Sequence, residues 1–209
     1  MRRLIETEAD IAEGIAALTR AEPRFALARD AVAEVPLRRN PHGFGALLRV
    51  ILGQQVSTAS AAALWARLDA AGLTTPEAIA ATPQAVLCSH GLSRPKARYA
   101  HALAAAQIDF AALAALPDEA VIATLTGVPG IGRWTAEVYA MLSLGRADIF
   151  APGDLALQEA ARGLFGLAAR PREAELRAMA AGWSPWRGVA ARLLWAYYRV
   201  MTKREGIAP

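Results

Sequence analysis

Residues 125–139 read LTGVPGIGRWTAEVY, and the fold turns on that stretch. Three glycines and one proline fall between Gly127 and Gly132, directly ahead of a run with helical apolar spacing. Pro129 fixes one backbone angle, while Gly130 and Gly132 permit positive φ or a close approach of another backbone. A tight hairpin between two helices is predicted, the second helix beginning near Gly132. The leading amides of such a helix have no carbonyl partner within it, and with the helix dipole they attract phosphate. Glycine on both flanks lets a polyanion come near without meeting a Cβ. A Walker A loop would need Gly-Lys-Ser/Thr and is absent.

On either side of the hairpin, strand signals are scarce and apolar residues recur at helical spacing. Helices are predicted over 8–19, 24–33, 43–52, 57–70, 76–80, 83–89, 94–107, 118–125, 132–144, 155–164, 171–181 and 185–203. Thr75-Pro76-Glu77 and Thr82-Pro83-Gln84 read as an N-cap followed by proline at the first helical position. Gly72, Gly91 and Gly145 read as stops, and Ser57 as an N-cap. No period of 20 to 50 residues recurs. The fold class is all-α.

The 209 residues are 55% hydrophobic and 20% charged, enough to bury a sizeable core. No apolar run reaches the length of a membrane span. The N-terminus turns acidic at once and has no long apolar region, so a secretory signal is not expected and a cytoplasmic location is. One cysteine, Cys88, excludes an internal disulfide, a thiolate zinc site and a four-cysteine iron–sulfur cluster. His42, His90 and His101 are scattered, so no transition-metal site is expected, and His90 reads as a loop residue. The net charge of +4 favours an anionic partner. The only lysines are Lys96 and Lys203.

Apolar–x–x–x–Pro-Gly–apolar–Gly–x–x–Thr-Ala is a helix-hairpin-helix pattern, whose contact with nucleic acid ignores base sequence and weakens with salt. Downstream, DIFAPGDLALQEA places Asp154 just before a helix, as an N-cap. Backbone amides there stabilise the ionised carboxylate.

The hairpin followed by PGD resembles the helix-hairpin-helix DNA glycosylase superfamily. Within it the chain is most similar to the bacterial 3-methyladenine DNA glycosylase II group. HGFGALLRVILGQQVSTASAAALW (42–65), GLSRPKARYAHALA (91–104) and WSPWRGVAARLLWAYY (183–198) resemble further signatures of that group. The resemblance covers roughly residues 38–200.

The resemblance implies roles one residue at a time. Asp154 matches the catalytic aspartate, whose carboxylate stabilises an oxocarbenium-like sugar and orients water; Asp148 is the fallback. Trp134 falls where lyase members carry a Schiff-base lysine, so a monofunctional reaction without strand nicking is implied. Its indole can stack on an electron-poor base. Trp195 matches a pocket aromatic. Val138 stands where the best-known type has tyrosine, which opens the pocket and alters base preference; Tyr139 points to another helix face. Trp183 and Trp186 read as structural. Gln54 and Gln55 lie in a loop that reaches into the duplex, with Gln55 filling the gap left by a flipped base. Val128, Gly130, Gly132 and Arg133 would hold phosphate, and Lys96, with Arg94 and Arg98, would add backbone contact.

The same resemblance implies two helical subdomains, 37–144 ending in the hairpin and 1–36 plus 145–209 carrying Asp154, with an active-site cleft between them. The larger bacterial enzymes carry an additional N-terminal β-rich domain; only about forty residues precede the matching segment here, so that domain is expected to be missing. The implied protein is a monomer acting in the bacterial cytoplasm on double-stranded DNA with alkylated bases, 3-methyladenine and 7-methylguanine first among them. It needs no organic cofactor or catalytic metal, though a monovalent cation is expected at the hairpin backbone when DNA is bound. Two rivals stand beside it: a same-fold glycosylase for mismatched or oxidised bases, and a non-catalytic helix-hairpin-helix DNA-binding protein.

Overall fold

The computed structural model describes residues 3–204. In chain order the helices are α1 (Glu8–Ala21), α2 (Phe25–Ala31), α3 (Phe44–Gly53), α4 (Thr58–Ala70), α5 (Pro76–Ala81), α6 (Gln84–Ser89) and α7 (Arg94–Ala105). They continue with α8 (Phe110–Ala115), α9 (Asp118–Thr126), α10 (Arg133–Leu142), α11 (Leu155–Phe165), α12 (Glu173–Ala180) and α13 (Arg187–Arg204), with a 3-10 turn at Ala181–Trp183 before the last. Among the described residues the β-type pairing is an isolated bridge, Leu4 with Arg146. The all-α expectation holds. The chain divides into two compact units, one running from Asn40 to Ser143 and the other made of the residues before and after it.

In the first of these units, α3 packs on α4, α7 and α10, while α9 pairs with α10. Its core includes Leu47, Leu48, Ile51, Leu68, Leu103, Ile122 and Tyr139. Local signals set most helix starts. Ser57 Oγ accepts from Ser60 N at 3.2 Å, and Thr75 Oγ1 from Ala78 N at 3.3 Å. Helix α8 was not predicted. Its N-cap is Asp109, whose Oδ1 accepts from Ala111 and Ala112 N at 3.0 and 2.9 Å. The six-residue run FAALAA is too short and too uniformly apolar to show a period, so its cap was the one readable signal. Thr82 also departs from expectation. Its hydroxyl donates back to Ala78 O at 2.7 Å instead of capping α6, which starts one residue later, after Pro83.

In the other unit α11 packs on α13, and α13 in turn on α1 and α2. An aromatic cluster anchors it. Trp183 lies 5.2, 5.4 and 5.7 Å from the rings of Phe25, Phe150 and Phe165, two of them edge-on. Each buried aromatic contributes about 2–3 kcal/mol by area, and such ring pairs add about 0.5–1.5 kcal/mol. Trp186 is also buried, with Arg3 over its ring at 4.4 Å. Both tryptophans therefore serve the core. The N-terminal strap joins through Ile5 N to Gly145 O at 2.7 Å.

Candidate active site and nucleic-acid interface

Asp154 begins α11 with extended backbone, φ −76° and ψ 121°. Its Oδ1 accepts from Ala156 N at 3.0 Å and Leu157 N at 3.1 Å. Trp195, projecting from α13, donates Nε1–H to the same oxygen at 3.2 Å. Two residues that lie 41 apart in sequence thus meet, and three donors converge on one carboxylate oxygen. Charge-assisted bonds of this kind hold a carboxylate in place more firmly than neutral ones. The loop before it is also held: Gln158 Nε2 donates to Pro152 O at 2.8 Å, and Asp154 N to Ala151 O at 3.0 Å. Leu155, the next residue, is exposed.

Asp148 does different work. Its Oδ1 accepts from Arg187 Nε at 2.7 Å, and its Oδ2 from Arg187 Nη2 and Ser184 Oγ, each at 2.8 Å. Burial would raise the carboxyl, but the hydrogen bonds from Arg187 and Ser184 and the Arg187 charge outweigh it. They hold Asp148 below the usual carboxylate range. The fallback aspartate is a clamp between the 145–150 segment and the start of α13.

The hairpin belongs to the 40–143 unit. Val128, Pro129, Gly130 and Ile131 form a turn closed by Ile131 N to Val128 O at 3.0 Å. Gly130 takes φ 90°, the geometry demanded of the third position of a type II turn after proline. A Cβ on Gly130 would also overlap the Tyr99 ring of α7. Gly132 is different. It caps α10 with φ −81° and ψ 169°, offers no side-chain cap, and a Cβ there would meet nothing. The fold does not require glycine at 132, whereas close approach by an external backbone would.

Helix α10 presents Trp134, 38% exposed, with half-buried Val138 one turn along the same face. Trp134 is therefore a surface side chain and not a core one. Tyr139 faces inward, as expected, and its hydroxyl accepts from Gly43 N at 2.9 Å. Burial pushes that phenol up, against the opposing Gly43 hydrogen bond. Arg133 pairs along its helix with Glu137 at 2.9 Å and reaches Glu119 at 3.3 Å.

The 53–57 loop carries both glutamines. Gln55 is exposed at φ 56°, the left-handed region that costs a non-glycine residue steric strain. Gln54 turns inward instead: its Nε2 donates to Gly130 O at 3.0 Å and Thr135 Oγ1 at 3.4 Å. Lys96 Nζ donates to Leu52 O at 2.7 Å, at the C-terminal end of α3, and partial burial pushes its ammonium down. Lys96 and Gln54 thus tie the loop to α7 and to the hairpin. Sequence spacing shows neither attachment, because the shorter bond of each runs to a main-chain carbonyl distant in the chain. Val128 is buried, so only its backbone can meet a ligand. Among the described residues no group of three or more His, Cys, Asp or Glu gathers as a metal cage, and no helix is long and apolar enough to cross a membrane.

Residues 48–186 match the HhH-GPD superfamily base excision DNA repair protein family. The chain belongs to that superfamily. It is 35% identical over 210 residues to a probable bifunctional transcriptional activator/DNA repair enzyme AlkA of Mycobacterium tuberculosis, covering 93% of this chain and 41% of that one. This chain therefore spans less than half the length of that relative. Among solved structures, DNA-3-methyladenine glycosidase from Bacillus halodurans superposes with TM-score 0.80 at 27% identity, over 99% of this chain and 95% of that one. The 3-methyladenine DNA glycosylase Mag1 of Schizosaccharomyces pombe, in complex with abasic DNA, gives 0.77 at 25% identity, over 88% and 95%.

Proposed function

We propose that the chain is a monofunctional DNA glycosylase of the 3-methyladenine type, a monomer that flips an alkylated base out of duplex DNA and hydrolyses its N-glycosidic bond. The observation that carries this is the Asp154 carboxylate, oriented by two amides of α11 and by the Trp195 indole. As the bond from C1′ to the base nitrogen breaks, the bonding pair leaves with the base. Positive charge builds on the sugar, and a fixed carboxylate stabilises it. Water then adds its oxygen to C1′ and gives up a proton, which the carboxylate can accept. For a cationic base such as 7-methylguanine, the departing pair neutralises the ring, so little further help is needed.

The uncapped start of α10 and the turn at Gly130 suit a phosphate of the DNA backbone. Trp134 in place of an amine supports hydrolysis without a Schiff base. Gln55, exposed and left-handed on its braced loop, would occupy the space of the flipped nucleotide. The Val128 and Gly130 carbonyls each accept one hydrogen bond and keep a second lone pair, which fits a monovalent cation bridging hairpin and phosphate.

The test is single-turnover release of 3-methyladenine and 7-methylguanine from methylated duplex, with a parallel assay for nicking before alkali. Release without nicking by the wild type, and none by Asp154→Asn, is expected. Nicking before alkali would remove the hydrolytic reading, and binding without release of any base would favour a passive DNA-binding protein.

A further inference from the structure

Arg38 lies outside every site assigned from the sequence, yet it reaches Asp154 through one side chain. Its backbone takes φ 47°, a strained conformation for a residue with a Cβ. The strap that imposes it is held by Arg192, fully buried in α13, whose Nε donates to Leu37 O and whose Nη1 donates to Gly188 O, both at 2.8 Å. Held this way, half-buried Arg38 places its Cζ 5.5 Å from the centroid of the Trp195 ring. The same indole donates to Asp154 Oδ1 at 3.2 Å. A guanidinium, an indole and the candidate catalytic carboxylate therefore stand in contact sequence.

The electrostatics agree with the geometry. Burial pushes the Arg38 guanidinium down and the like charge of Arg199 adds to this, while the Asp154 charge acts in the opposite sense. Arg38 and Asp154 thus feel each other in surroundings poorer in water than the surface, where a charge acts over a longer range. Burial likewise pushes Arg192 down to about 10, with Arg39 and Arg38 adding repulsion. Arg38 thus links a group of like charges to the one carboxylate it feels.

We propose that Arg38 is a specificity-determining residue whose fixed charge, seated on Trp195 beside Asp154, offsets the carboxylate and narrows the site's advantage for cationic damaged bases over neutral ones. The inference rests on Asp154 acting at the sugar. A cationic base gains from Asp154 but is repelled by Arg38, and on cleavage it leaves neutral. A neutral base meets no such repulsion. It departs with the bonding pair as a developing anion, which a guanidinium stabilises before a solvent proton completes the base. Arg38 therefore helps the lesions that are poorer leaving groups and handicaps the easier ones.

The experiment compares single-turnover release of 7-methylguanine, cationic in DNA, with that of hypoxanthine and 1,N6-ethenoadenine, both neutral, from matched duplexes. Wild type, R38M, R38Q and R38K are assayed, with thermal melting of each and the salt dependence of DNA binding. R38M and R38Q should raise the ratio of cationic to neutral release about tenfold, R38K should keep the wild-type ratio, and the salt slope should not change. An unchanged ratio, or equal loss on all three bases, would overturn the proposal and leave Arg38 a structural residue. A shallower salt slope with an unchanged ratio would overturn it in favour of a phosphate contact. Wild-type release of the cationic base alone would also overturn it. Wild-type release of none of the three would overturn it as well; if 3-methyladenine is still released from methylated duplex, the glycosylase reading stands without this inference, and if it is not, that reading falls too.

Discussion

Helices α10 and α11 both start just after a proline-glycine loop, and they use the same physics in opposite ways. The start of α11 is filled: Asp154 satisfies two of its amides with the chain's own carboxylate. The start of α10 has Gly132 and no side-chain cap. Both ends carry the partial positive charge of the helix dipole. At α11 that charge fixes an internal anion, with a tryptophan completing its orientation. At α10 it lies beside a glycine on which an added Cβ would meet nothing within 4 Å. On the proposed function, the filled helix end would supply a reagent, whereas the uncapped one would supply a docking point for an anion brought from outside.

The comparison breaks first at Asp154. Asp154→Asn should lower single-turnover base release by about a thousandfold or more, since on the proposed function it removes the charge that stabilises the sugar. Asparagine caps nearly as well as aspartate, so the melting temperature should stay within a few degrees of wild type. Wild-type release by this variant would strip α11 of its chemical role.

Filling the other end is the reciprocal change. Gly132 has a backbone that an aspartate cap adopts and open space around it. Gly132→Asp should add a few tenths of a kcal/mol of stability and weaken duplex binding about tenfold or more, by repulsion and by occupying the amides. Fluorescence anisotropy on undamaged duplex and a thermal melt measure both. Unchanged affinity would show that α10 does not meet phosphate.

Trp195→Phe keeps the ring and deletes the donor to Asp154. A hydrogen bond to a charged group contributes about 1.5–3 kcal/mol, so release should slow about tenfold or more with DNA affinity unchanged. A fall in affinity with an unchanged rate would make Trp195 a stacking surface and not an orienting one.

The smallest effect concerns the clamp aspartate. Asp148 has a folded pKa held below its unfolded value, so its contribution is present above an unfolded pKa of about 3.9. It disappears as pH falls through the folded value. Asp148→Asn should therefore melt a few degrees lower at pH 7, and the difference should shrink below about pH 4. Base release should be unaffected. A pH-independent difference would place the stabilisation elsewhere.

The two helix starts were legible for different reasons. Asp154 announced itself because capping is local: a short acidic side chain reaches amides two and three residues on. The hairpin was legible because Pro129 and Gly130 constrain their own backbone whatever surrounds them. Helix α8 escaped because FAALAA has no polar face to reveal a period. The inward turn of Lys96 and Gln54 escaped because their partners, Leu52 O and Gly130 O, are carbonyls that every residue carries. Arg38 escaped because an Arg-Arg pair before Asn40 reads as an ordinary basic surface.

The sequence by itself determined the all-α class, the turn at Val128–Ile131, the caps at Ser57, Thr75 and Asp154, and an electropositive chain with two lysines. These follow from interactions within a few residues, where backbone geometry and side-chain reach are enough. Tertiary structure alone decided that Trp195 meets Asp154, that Asp148 clamps Arg187, that Lys96 and Gln54 brace the exposed Gln55 loop, and that Arg38 rests on the Trp195 indole. Those contacts join residues tens of positions or more apart. They form only when packing of whole helices brings the partners within hydrogen-bond or van der Waals range, a condition that no local pattern encodes.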